Sequence, residues 1–95
     1  MVPLSPVQRW VLQERQLQTQ AHLADGGVAA VLLVSSVQDP TSLYALKTLR
    51  FPFDADDEIA AMFCDEIRLL RRIRHPQIVG FVEGHEDLSR PYLLM

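Results

Sequence analysis

The sequence is poor in the residues that mark secreted, metal-binding and membrane-spanning proteins. Cys64 is the only cysteine, so no internal disulfide can form, which fits a reducing compartment. No histidine stands at ligand spacing from Cys64, which argues against a metal site. The longest apolar run, residues 28–34, has seven residues, whereas a membrane-spanning helix needs about 20. The N-terminal residues have neither a basic region nor a long apolar stretch, so they do not form a signal peptide. By elimination, we expect a cytoplasmic protein without a membrane span.

The sequence also lacks an excess of positive charge. It has 9 Lys and Arg residues against 12 Asp and Glu residues, and its net charge is −3. This balance argues against a nucleic-acid-binding protein, whose binding surface would be basic. The chain has 95 residues, of which 48% are hydrophobic. It can therefore form one small folded domain of modest stability.

The order of apolar runs and turn signals predicts an α+β fold. Residues 1–16 are polar and rich in glutamine, and we interpret them as an N-terminal leader, either flexible or a short helix. Five strands are predicted at residues 17–23, 28–34, 43–49, 78–83 and 92–95, with one main helix at about residues 56–73 and a loop at residues 84–90. Three strands, a helix and two strands favour a five-stranded antiparallel sheet with one main helix packed on one face.

Two charged residues stand where the pattern predicts burial. Lys47 closes an apolar strand, and Glu66 falls on the same helical face as Phe63 and Leu70. A buried charge is costly unless it is paired, so we expect Lys47 and Glu66 to contact each other. The alternative for Glu66 is a place at the edge of the apolar face, from which a long side chain reaches water.

Small residues cluster at the turn between the first two predicted strands. The turn reads Leu23-Ala24-Asp25-Gly26-Gly27-Val28-Ala29. A backbone that covers phosphates needs exposed N–H groups and little side-chain bulk. Taken alone, this pattern is more typical of an ordinary Gly-Gly hairpin.

Four motifs in order resemble the N-terminal lobe of a eukaryotic-type protein kinase, over residues 17–95. Tyr44-Ala45-Leu46-Lys47 is similar to the V-A-I-K strand of that family, and Glu66 stands at the place of its helix-C glutamate. Residues 69–79 are similar to the L-x-x-L-x-H-P-N-I-V passage that follows helix C. Pro91-Tyr92-Leu93-Leu94-Met95 resembles the fifth strand, with Met95 at the gatekeeper position. The Leu23–Gly27 turn is similar to the L-A-E-G-G-F loop of Numb-associated serine/threonine kinases.

The resemblance implies a role for each of the matching residues. Val31 and Ala45 would pack against the adenine of ATP, and Met95 would limit the depth of the pocket. Lys47 would contact the α- and β-phosphates while Glu66 anchors it. The glycine-turn residues would border or cover the nucleotide; they are Leu23, Ala24, Gly26, Gly27, Val28 and Ala29.

The sequence departs from the family pattern in two ways: in the residues of the glycine turn and in the motifs that it does not contain. Ala24 and Ala29 occupy two of the three places of the G-x-G-x-x-G glycines, and Val28 stands where a phenylalanine is usual. No H-R-D or D-F-G motif occurs, so the groups that hold Mg²⁺ and accept the substrate proton in the family are expected in a missing C-terminal lobe.

These observations favour one function and leave two others open. We expect residues 17–95 to be the ATP-binding N-lobe of a serine/threonine kinase, with the chain alone inactive. In the parent enzyme, the γ-phosphate of ATP would pass to a hydroxyl of a protein substrate bound through the missing lobe. The first alternative is a non-catalytic, pseudokinase-like module that acts through protein–protein contacts. The second is a small α+β protein without a nucleotide site.

Overall fold

A computed structural model describes residues 4–25, 29–49, 58–72, 82–86 and 90–95. These residues form two helices and five strands: α1 (Pro6–Glu14), β1 (Leu17–Asp25), β2 (Ala29–Ser36), β3 (Leu43–Leu49), α2 (Glu58–Arg72), β4 (Glu83–His85) and β5 (Tyr92–Leu94). The strands make one sheet in the order β1-β2-β3-β5-β4, and each neighbouring pair is antiparallel. The predicted α+β fold with a five-stranded antiparallel sheet is confirmed. Within the described residues, neither helix combines the length and apolarity needed to cross a bilayer.

The two faces of the sheet carry separate hydrophobic clusters. On one face, Leu32, Val34 and Leu46 pack with Val11 of α1. On the other face, Leu93 packs with Phe63 and Ile67 of α2. Side chains alternate between faces along a strand, and the central strands β3 and β5 contribute to both clusters. Helices α1 and α2 therefore cover opposite faces of the sheet.

Helix α1 begins at an N-terminal cap formed by Ser5, Pro6 and Gln8. The Ser5 hydroxyl accepts a hydrogen bond from the Gln8 backbone N–H, and the Gln8 side chain accepts one from the Ser5 backbone. Pro6 stands in the first turn, where its missing N–H costs nothing. Of the two forms considered for this polar segment, the structure has the helix. Its Val11 side chain is completely buried, so the helix contributes to the core of the sheet.

The fourth strand differs from its predicted position. Residues 84 and 85 were expected in a loop, but Gly84 pairs with Leu93 and His85 with Tyr92 in the antiparallel β4–β5 ladder. The loop prediction is wrong here because tertiary contacts outweigh the local turn signal of glycine: the His85 ring stacks on Tyr92, with the ring centroids 5.3 Å apart. Residues 73–81, where this strand was predicted to begin, lie outside the described part of the chain.

A polar network joins α1 to the β4–β5 hairpin. Arg15, just after α1, donates from Nε to the Tyr92 hydroxyl at 3.0 Å and forms an ion pair with Glu83. The Tyr92 hydroxyl also donates to Glu83. Burial of the phenol is the main cause that raises the pKa of Tyr92 above its usual value. The network therefore ties the N-terminal segment to the far end of the sheet.

Candidate functional site

A groove lies between the sheet and the exposed flank of α2. Its volume is about 590 Å³. It is lined by Ala29, Lys47, Leu49, Ile59, Met62, Phe63, Asp65, Glu66 and Leu69. Most of these side chains are apolar, and Lys47 supplies a positive charge among them. The groove thus offers an apolar surface with one cation, Lys47, beside two carboxylates, Asp65 and Glu66.

The predicted contact between Lys47 and Glu66 is present. The Lys47 Nζ atom lies 3.1 Å from Oε1 and 3.4 Å from Oε2 of Glu66, so both carboxylate oxygens face the ammonium. An ammonium carries three N–H donors. Glu66 therefore fixes the direction of the lysine side chain and can leave donor capacity for a second anion.

The expectation that both charges are buried is wrong. The side chain of Glu66 is 43% exposed and that of Lys47 is 27% exposed. Glu66 lies at the border of the buried helix face, where its carboxylate reaches both water and the ammonium. Partly exposed ion pairs contribute only about 0–1 kcal/mol to stability. The Lys47–Glu66 pair thus orients a charge in the groove more than it stabilises the fold.

Strand register places the other predicted site residues on the face that carries Lys47. Val31 pairs with Lys47 across β2 and β3, and directly opposite residues share a face of the sheet. Ala45 precedes Lys47 by two positions, so it lies on this face too. The Ala45 backbone exchanges two hydrogen bonds with Met95, at 2.8 and 2.9 Å. The structure therefore places Val31, Ala45, Lys47 and Met95 together.

The residues of the glycine turn are only partly described. Ala24 pairs with Val31 and is exposed, and Ala29 lines the groove. Leu23 is 54% exposed. It lies between His22 and Ala24, where the pairing of β1 with β2 shifts register. Gly26, Gly27 and Val28 lie outside the described residues, so the prediction that this backbone covers phosphates stays a prediction.

Phe63 is a site residue that the sequence reasoning did not identify. It was noted only as part of the apolar helix face, but the Lys47 ammonium lies 5.8 Å from the centroid of its ring. At this distance a cation is attracted to the negative face of an aromatic ring. Phe63 precedes Glu66 by three positions, so both fall on one side of α2. This spacing in the sequence could have indicated that Phe63 lies close to the Lys47–Glu66 pair.

The described residues offer no group of three or more His, Cys, Asp and Glu side chains that could hold a metal ion. Asp65 lines the groove beside Glu66, but its carboxylate accepts a hydrogen bond from Arg68 at 2.7 Å. The Asp65 carboxylate is therefore paired within α2.

Comparison with known proteins relates this arrangement to protein kinases. No family model matches the sequence. The chain is 33% identical over 90 residues to "Probable serine/threonine-protein kinase YbdM" of Bacillus subtilis (strain 168), a match that covers 95% of this chain and 35% of that protein. It is 32% identical over 75 residues to "Calcium/calmodulin-dependent protein kinase type 1" of Macrobrachium nipponense, covering 77% of this chain and 21% of that protein.

Both relatives are named as kinases, and neither match supports the Numb-associated subtype that the turn suggested. The chain spans about a third of the length of the first relative and about a fifth of the second. Together with the confirmed fold and the Lys47–Glu66 contact, these similarities characterise the chain as a region similar to part of a serine/threonine protein kinase.

Proposed function

We propose that the chain is the ATP-binding lobe of a serine/threonine protein kinase. The observation that carries the proposal is the Lys47 ammonium, held 3.1 Å from Glu66 on the sheet face of Val31 and Ala45. In this proposal, Lys47 neutralises and orients the phosphates. Glu66 keeps the lysine extended toward them.

The residues on this face fit the chemistry of ATP. Val31, Ala45 and Met95 are partly exposed and present an apolar surface to a flat base, which gains from leaving water. An ammonium is a compact charge suited to phosphate oxygens. The lysine and the apolar residues lie on one face of neighbouring strands, so one ligand with a base and phosphates could contact both.

Phosphoryl transfer needs groups that these 95 residues do not contain. In kinases, Mg²⁺ neutralises charge that develops on the phosphates, and its ligands include the D-F-G aspartate. The sequence has no D-F-G and no H-R-D motif. The proposed contribution of this chain is therefore to bind and orient ATP, and the polypeptide alone is expected not to transfer phosphate to a protein substrate.

The first test is a titration of the chain with ATP, followed by nuclear magnetic resonance. We expect weak binding, with a dissociation constant of about 1 mM or higher, because only one side of the nucleotide would be enclosed. The backbone signals of Val31, Ala45 and Lys47 should move. Lys47→Met should abolish the shifts that depend on the phosphates, while adenosine, which has none, should act equally on both forms.

Two results would contradict this expectation. Tight binding that depends on Mg²⁺ would show that the chain supplies metal ligands after all. Chemical shift changes confined to the opposite face of the sheet, around Val34 and Leu46, would show that ATP does not bind at the proposed site.

A second test measures phosphoryl transfer in a chimera. These residues would replace the matching third of the Bacillus subtilis relative, so that the rest of that protein supplies the other lobe. Glu66→Gln should lower kcat by roughly fivefold, because a neutral hydrogen bond holds the lysine about 1 kcal/mol less strongly than a charged one. Full activity at unchanged stability would show that Glu66 has no part in the reaction.

A non-catalytic, pseudokinase-like binding module is the second candidate. It is favoured by the exposure of two large apolar side chains that line the groove, Met62 at 66% and Leu69 at 59%, since exposed apolar surface often marks a contact with another protein. A folded chimera that neither binds ATP nor transfers phosphate would favour this function over the first.

A further inference from the structure

Helix α2 is held on two flanks that lie on opposite sides of its buried face. Successive residues are about 100° apart around a helix, so Glu66 lies about 160° from Cys64. The buried side chains of Phe63 and Ile67 fall between them. Glu66 contacts Lys47 of β3 on one flank. The other flank faces β4.

On the β4 flank, three residues of α2 contact Glu86. Arg68 donates from Nε to Oε2 of Glu86 at 3.0 Å, and Arg71 donates to Oε1. The Cys64 thiol lies 3.3 Å from the Glu86 carbonyl oxygen. Cys64, Arg68 and Arg71 have the i, i+4, i+7 spacing of one helical face. One carboxylate thus joins two successive turns of the helix.

The position of Glu86 is itself fixed by the sheet. It follows β4 directly, and β4 pairs with β5. Arg71 also donates from Nη2 to the Gly84 carbonyl oxygen at 2.8 Å, which adds a contact to the strand backbone. The Glu86 side chain is 25% exposed. The side chains of Arg68 and Arg71 are 52% and 47% exposed, so water and salt partly screen both ion pairs.

Two anchors on opposite flanks restrict rotation of a helix about its axis. The buried side chains of Phe63, Cys64 and Ile67 oppose a large roll, because it would expose them, and the directional ionic contacts on the two flanks restrain a smaller one. A roll that carries Arg68 and Arg71 away from Glu86 would also swing Glu66 relative to Lys47. The two ionic contacts are therefore coupled through the rigid helix.

We propose that Glu86 is a positioning residue for the Lys47–Glu66 pair: by holding Arg68 and Arg71, it sets the rotation of α2 and so the place of the Glu66 carboxylate. Its importance for phosphoryl transfer rests on the proposed function, whereas its effect on the ion pair does not. Loss of the Glu86 contacts lets α2 roll and weakens the hold on Lys47. Within the described residues, the hydrogen-bond and ion-pair partners of Glu86 are Cys64, Arg68 and Arg71, and none of the three lines the groove.

The test measures the Lys47 side chain directly. Lys47 is the only lysine in the sequence, so lysine labelled with ¹³C at Cε gives one ε-methylene signal. We expect Glu86→Gln to abolish the nuclear Overhauser contacts of this methylene with the Glu66 side chain. The shift caused by the Phe63 ring should decrease. Amide hydrogen exchange in α2 should rise more than in β1 and β2.

Glu83→Gln is the matched control. Glu83 begins β4, the strand that Glu86 follows, and it also forms an ion pair, but with Arg15 on the α1 side. This variant should keep the Lys47 signals of the wild type. If Glu86→Gln fails to fold, the double variant Arg68→Gln/Arg71→Gln decides the matter, since glutamine has nearly the helix propensity of arginine.

The inference is overturned if the folded Glu86 or arginine variants keep the wild-type Lys47 contacts, or if Glu83→Gln loses them equally. A failure of the proposed function would look different. In that case the Lys47 signals would respond to Glu86→Gln as expected, while ATP would leave the spectrum of the wild-type chain unchanged.

Discussion

Replacing Lys47 with methionine in the kinase chimera should lower kcat by roughly 10²- to 10³-fold, the usual effect of removing one fixed group that stabilises charge in a transition state. Methionine keeps much of the length of the lysine side chain and loses its charge. Because the Lys47–Glu66 pair is partly exposed, its loss should cost about 1 kcal/mol of stability or less. This variant should therefore lose most of its kcat while its free energy of unfolding changes little.

Arg9→Met is the matched control for this experiment. Arg9 is an exposed cation on α1, and its guanidinium donates to the Leu4 carbonyl oxygen. The same loss of charge at this position should leave kcat within about twofold of the unmodified chimera, since surface changes usually have small effects. Thermal unfolding would be recorded for both variants. Near-normal turnover of Lys47→Met would show that Lys47 is not needed for phosphoryl transfer.

The contact between Lys47 and Glu66 could be predicted because both charges stand in apolar surroundings. Lys47 closes the apolar run of residues 43–46, and Glu66 shares the helical spacing of Phe63 and Leu70. Local pattern was enough to indicate that the two charges meet. The degree of exposure depends on how the helix rolls on the sheet, which no local pattern specifies, and the predicted burial of Glu66 was accordingly wrong.

The N-terminal helix was harder to predict because its sequence is mostly polar. Only a few of its side chains are buried, among them Gln8 and Val11, so the apolar signal of the segment is weak. The capping box of Ser5 and Gln8 was present in the sequence and marks a helix start. It does not show where the helix docks, since that depends on the face of the sheet left open opposite α2.

The contacts of Glu86 could not be predicted from sequence for a related reason. Residues 84–90 contain Gly84 and several polar residues, a composition typical of a loop. Pairing with β5 and the proximity of two α2 arginines turn residues 84–86 into an anchor. Both features arise from elements far apart in the chain, so they appear only in the folded structure.

Replacing Val11 with aspartate should destabilise the chain by roughly 3–5 kcal/mol, the usual range for an uncompensated buried charge. Val11 is completely buried and packs with Leu32, Leu46 and Tyr92. Arg15 follows Val11 by four positions, but its guanidinium already contacts Tyr92 and Glu83, so a carboxylate at position 11 would have to compete with Glu83 for it. For a domain of this size, the melting temperature should fall by at least about 12 °C, as measured by circular dichroism.

Gln13→Asp provides the matched control, because Gln13 is exposed on the same helix. An acidic residue near a helix C-terminus opposes the helix dipole, which costs only about 0.3–1 kcal/mol at the surface. The two aspartates therefore differ mainly in burial. If both variants melt at nearly the same temperature, α1 does not pack on the sheet in solution, and the N-terminal segment is the flexible leader after all. A large difference shows that α1 is an integral part of the folded unit.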